Sequence, residues 1–73
     1  MDEYQALANA IVLQAVTDYR KVLLINKKHP YRRDYESEMR SIEQFFHSGW
    51  FASLTDVNPK MLISKLKAEV ASL

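Results

Sequence analysis

Cysteine is absent from the 73 residues of this chain, which also contains only one glycine and two prolines. Without cysteine there is no disulfide framework and no thiolate metal site. The two histidines, His29 and His47, are too few to hold a metal ion unless carboxylates complete the site. We therefore expect neither a metal nor a cofactor, and a fold that depends on its apolar core.

Strong net charge and long apolar runs are also missing. The formal net charge is +1, so no overall field attracts the protein to nucleic acid or to a membrane surface. No apolar run approaches the roughly 20 residues that cross a bilayer, and the acidic Asp2 and Glu3 differ from the basic start of a signal peptide. We expect a cytoplasmic protein with no membrane partner.

The scarcity of glycine and proline predicts a chain that is helical over most of its length. Apolar residues recur every three or four positions over residues 2–26, which predicts a long amphipathic helix ended by Pro30. Asp34 is the expected N-cap of a second helix. Ser48 is expected to cap a short third helix over residues 50–54, and Asn58 a fourth over residues 59–72.

These elements predict one all-α domain over residues 1–73, a small bundle in which the long first helix packs against the second and fourth. The short third helix forms a corner. Residues 45–51 hold four of the eight aromatic residues, at the place where helices are expected to meet. If this aromatic group is buried, it forms the centre of a small core. If it is exposed, it can serve as an anchor for a partner.

We favour burial, with a core centred on Ile11, Ile42, Phe46, Trp50, Leu54 and Leu66. On that interpretation, removing the indole by Trp50→Ala is expected to cost about 3–5 kcal/mol of stability. Exposure would instead make Trp50 a candidate for an interface.

Cations concentrate around the connector between the first and second helices. The candidate binding patch comprises Arg20, Lys21, Lys27, Lys28, Tyr31, Arg32, Arg33 and Arg40. Such a cluster can bind phosphates while a tyrosine stacks on an unpaired base. The simpler interpretation is that helix ends and exposed connectors commonly carry positive charge.

No pattern of residues indicates catalysis. The sequence contains no glycine-rich phosphate loop, no nucleophile elbow and no paired metal-ligand motif. The carboxylates of Asp34, Glu36, Glu38 and Glu43 lie among basic residues and are expected to form a solvated helix face. We therefore expect a protein that is not an enzyme and has no catalytic residues.

Three blocks of the sequence resemble a family of small proteins from phages and prophages of Gram-positive bacteria. They are Thr17–Arg20, Ile42–Val57 and Leu62–Leu66, the last followed by Glu69 and Val70. Gly49 stands where that family usually has an acidic residue, and Asn58-Pro59 where it usually has glycine. The resemblance implies a phage or prophage setting and assigns no activity or catalytic residue.

The resulting hypothesis is a non-catalytic phage accessory protein that binds a host or phage protein in the bacterial cell. Small phage proteins of this kind commonly block host machinery, including CRISPR nucleases. Two alternatives remain open: nucleic-acid binding by the basic connector, and a structural bundle that forms oligomers. A homodimer could form along the wide apolar stripe of the first helix.

Overall fold

The computed structural model describes residues 2–73, and these residues form four helices and no strand. Helix α1 spans Glu3–Lys28, α2 Arg33–Phe46, α3 Gly49–Leu54 and α4 Pro59–Ala71. Helix α1 packs against both α2 and α4, while α3 closes the corner between α1 and α2. The predicted all-α fold is confirmed.

Two of the expected helix caps are present and one prediction is wrong. The Ser48 hydroxyl accepts a hydrogen bond from the Phe51 amide, and the Asn58 side chain accepts one from the Met61 amide. Helix α2, however, begins at Arg33 with Arg32 at its N-cap, so Asp34 lies inside the first turn. There its charge still favours the helix dipole, and its carboxylate pairs with Arg32 at 3.3 Å.

Helix α1 runs two residues beyond its predicted end and stops at Lys28, with His29 at the C-cap. The residue before a proline is disfavoured in helical geometry, so Pro30 sets this boundary. The prediction that Pro30 ends the first helix is therefore confirmed, although the helix is two residues longer than predicted. Residues 29–32 then turn the chain, which makes α1 and α2 an antiparallel hairpin.

The core is a single cluster to which all four helices contribute. Tyr19 is fully buried and packs edge-to-face on Phe46, whose ring packs in turn on Phe51. The cluster consists of Val16, Tyr19, Leu23, Phe46, Phe51, Ile63, Leu66 and Val70. Burial of Phe46, Leu54 and Leu66 agrees with the sequence prediction. Ile42 only packs against the cluster from its edge, and Ile11 lies partly exposed outside it.

The predicted burial of Trp50 is wrong. Its side chain is 62% exposed, whereas the adjacent Phe51 is 1% exposed. Successive helical residues point about 100° apart, so the six-residue α3 can direct only one of this pair into the core. The Ser48 cap fixes where α3 begins, and Phe51 then faces inward.

We predict that Phe51→Ala and Trp50→Ala have very different effects on stability. Phe51→Ala opens a cavity in the core and should cost about 3–5 kcal/mol. Trp50→Ala removes an exposed ring that touches Phe45 and should cost about 1 kcal/mol. Urea unfolding followed by circular dichroism measures both, and equal losses would contradict the assignment of Phe51 to the core.

Candidate functional site

The predicted basic patch is partly used inside the fold. The Lys27 ammonium donates to the carbonyl oxygens of Val70 at 3.1 Å and Leu73 at 2.7 Å. This places a positive charge at the negative end of α4, where it stabilises the helix terminus. Lys27 therefore serves as a cap for α4 and is not free to bind a phosphate.

Two arginines of the patch are also paired. Arg20 lies 3.1 Å from Glu69, which joins α1 to α4 at the surface. Arg32 bonds Asp34 and lies 5.2 Å from the ring centre of Tyr35. The hydrogen bond to Asp34 and its charge raise the pKa of Arg32 above its ordinary value. Both pairs are solvent-exposed, so each adds little stability.

Four cations of the patch, Lys21, Lys28, Arg33 and Arg40, form no ion pair with residues 2–73. Tyr31 is 95% exposed at the tip of the hairpin between Lys28 and Arg33. The structure thus reduces the patch from eight residues to these five.

A polar cluster links α1, α2 and α4 beside the core. The Tyr19 hydroxyl donates to the Glu43 carboxylate at 2.6 Å, and the Lys67 ammonium lies 3.8 Å from the same carboxylate oxygen. The expectation that Glu43 belongs to a fully solvated face is therefore wrong, because Glu43 is half-buried against Tyr19. Only Asp34, Glu36 and Glu38 of that set are exposed.

This polar cluster is suited to joining helices. Burial, followed by the hydrogen bond and charge of Glu43, raises the pKa of Tyr19 well above its usual value near 10. A phenol held protonated in this way is a poor general base at neutral pH. Among residues 2–73, no group of three or more histidine, cysteine or acidic side chains is arranged to hold a metal ion.

The most distinctive surface is a groove along the open side of the α1–α2 hairpin. Its first part has a volume of about 540 Å³ and leads from the middle of the hairpin to α3. The lining residues of this part are Ala10, Ile11, Gln14, Ala15, Asp18, Ser41, Ile42, Phe45 and Trp50.

A second depression of about 460 Å³ continues the groove toward the hairpin tip. It shares Asp18, Ser41 and Ile42 with the first part and extends to Ile25 and Glu38. From residue 10 to residue 25 of α1, the combined depression, here called the α1–α2 groove, is about 22 Å long. Its floor is mostly apolar.

Trp50 stands at the α3 end of the groove with its indole edge-to-face on Phe45, the ring centres 6.0 Å apart. Phe45 also packs on Phe51 of the core at 5.7 Å. A line of aromatic rings therefore connects the core to an exposed tryptophan. Asp18 lies in the middle of the floor, and its carboxylate accepts a hydrogen bond from the side-chain amide of Gln14 at 2.9 Å.

Sequence reasoning identified Trp50 as an interface candidate only if it proved exposed, and it did not identify the groove. Ile11, assigned to the core, lines the groove beside Trp50. The sequence did contain a pattern that indicates the groove. Ile11, Asp18 and Ile25 are spaced seven residues apart, on the side of α1 next to the residues that face the core. Helices α2 and α4 pack against α1 without covering this side.

Comparison with known proteins finds no match to this chain among models of protein families, curated proteins or solved structures. Of the helices within residues 2–73, none combines the length and the hydropathy that a membrane span requires.

We predict that Tyr19→Phe lowers stability at neutral pH by about 0.5–1.5 kcal/mol, because one hydrogen bond is lost. It should also flatten the decline of stability above about pH 10. There the unfolded tyrosine releases its proton while folded Tyr19 retains it, so rising pH favours unfolding of the parent protein.

Urea unfolding from pH 7 to pH 11 measures both effects. Tyr31→Phe is the matched control, since Tyr31 is almost fully exposed, and it should match the parent throughout. An unchanged alkaline slope in Tyr19→Phe would mean that the Tyr19 hydroxyl is not held as described.

Proposed function

We propose that this protein is a non-catalytic binding protein whose α1–α2 groove receives a helical segment of a partner protein. The observation that carries the proposal is the 62% exposure of Trp50 at the end of an apolar groove. Exposed tryptophans are strongly enriched among the residues that dominate binding energy.

The shape of the groove favours a helix as its occupant. It is straight, because two antiparallel helices form its walls, and about 22 Å corresponds to four turns of helix. Amphipathic helices bind such grooves with apolar residues spaced three, four and seven positions apart. A cationic residue of the partner helix would complement Asp18, which lies half-buried on the floor.

The resemblance of the sequence to small phage proteins supports a partner from the host or the phage, in the cytoplasm of a bacterial cell. A defence effector such as a CRISPR nuclease is one partner of this kind. Blocking such an effector needs only a bound surface, which agrees with a chain whose sequence shows no catalytic pattern.

We predict that a photoreactive benzoylphenylalanine at position 50 crosslinks one partner protein in host cells, whereas the same residue at position 61 does not. Met61 is 70% exposed on α4 and lies outside the groove, so it is a matched control. Equal crosslinking from both positions would contradict the proposal.

A second pair of variants tests whether the captured protein occupies the groove. Ser41 is exposed and lines both parts of the groove, so Ser41→Arg fills it without removing core packing. This change should weaken partner binding by about tenfold or more. Ser64→Arg, at an exposed position on α4, should leave binding unchanged.

A second candidate function, nucleic-acid binding, is favoured by the exposure of Tyr31 between Lys28 and Arg33. If Lys28 and Arg33 each contact one phosphate, the two contacts predict a slope of about −1.8 for log K against log salt on duplex DNA. We predict that the double change Lys28→Ala and Arg33→Ala abolishes binding, whereas Lys60→Ala with Lys65→Ala on α4 does not. Absence of any complex at low salt and tens of micromolar protein would overturn this candidate.

A further inference from the structure

We infer that a second copy of this chain covers the α1–α2 groove when the partner is absent, through a two-fold axis that runs along the groove. In this arrangement Lys21 of each copy lies opposite Glu38 of the other. The inference rests on the groove of the proposed function and gives that site a form of regulation, because self-association and partner binding then compete.

The exposed surface of the chain is large for its mass. A compact monomer of 8.5 kDa is expected to expose about 4,700 Å², whereas this chain exposes 5471 Å². The excess of roughly 800 Å² is close to the area that each partner buries in a standard stable interface, about 800 Å². The elongated chain thus exposes more surface than a compact monomer of its mass.

The groove side of α1 is left uncovered by the other helices that the structure describes. Helix α4 covers one side of α1, and the groove side has no covering helix among residues 2–73. Two hairpins placed groove to groove make a four-helix arrangement, in which each α1 packs against α2 of the other copy. Trp50 of one copy then meets Ile11 of the other at the α3 end.

The two walls of the groove carry opposite charges toward the hairpin tip. A two-fold interface must be complementary to itself. Lys21 and Glu38 line the same part of the groove from opposite walls, and neither pairs with another residue among residues 2–73. With the axis along the groove, the α1 wall of one copy faces the α2 wall of the other at the same height. Each unpaired lysine then faces an unpaired glutamate.

Sedimentation equilibrium of the purified full chain over a wide concentration range tests the inference. We expect the mass to rise from 8.5 kDa to twice that value. Trp50 is the single tryptophan, so its fluorescence should shift to shorter wavelength over the same range as the groove closes. A chain that stays monomeric at every concentration would overturn the inference and leave the proposed function intact.

Charge reversal locates the interface without removing packing. Lys21→Glu and Glu38→Lys should each weaken the dimer by about tenfold, and the double variant should recover most of the loss. Lys65→Glu on the exposed face of α4 is the control and should have no effect. A dimer that tolerates both single reversals and Trp50→Ser uses another face, which would also overturn the inference.

The crosslinking of position 50 separates this inference from the proposed function. Capture of a different protein only, by a chain that is monomeric in solution, supports the function and refutes the dimer. Capture of a second copy only, in cells as well as in solution, supports the dimer and refutes the function.

Discussion

The length of α1 is the constraint on which the rest of the structure depends. Its 26 residues extend about 39 Å, nearly the full 43 Å of the molecule. The helices that pack on it have 14, 6 and 13 residues. The apolar residues of α1 occupy two adjacent sides, and a single further long helix, α4, is available beyond the α2 wall. One side is therefore packed as core, and the other remains as a groove.

Aromatic residues compensate for the small core. Tyr19, Phe46 and Phe51 are the largest fully buried side chains, and they meet edge-to-face near the junction of α1, α2 and α3. The hydroxyl of Tyr19 satisfies its hydrogen bond on Glu43, so the ring can be buried without leaving a polar group unpaired. Edge-to-face packing then continues outward through Phe45 to Trp50. The same group of rings stabilises the fold and supports the exposed Trp50 at the end of the groove.

Local signals in the sequence predicted the fold well. Pro30, Ser48 and the Asn58-Pro59 pair act within a few residues of their own position, and each sets a helix boundary as expected. The groove depends on packing between residues that lie far apart in the sequence, and the sequence did not predict it. The Ser48 cap fixes the start of α3, but whether Trp50 or Phe51 faces the core also depends on the angle at which α3 meets the hairpin, which no local pattern specifies. Likewise, Lys27 of α1 caps α4 only because Lys27 and Val70, 43 residues apart in the sequence, meet in space.

The cations of the candidate patch divide into those that bond within the chain and those that stay free. A patch selected for phosphate binding would keep its charges free, yet Arg20, Lys27 and Arg32 bond other parts of this chain. The pairs that Arg20 and Lys27 make secure α4 against α1, on the side away from the groove. Charge in this protein thus links α4 to α1 at the surface, and Trp50 at the α3 end of the groove is one of several exposed large apolar side chains. Because exposed ion pairs add little stability, burial of apolar area in the shared core supplies most of the energy that holds the helices together.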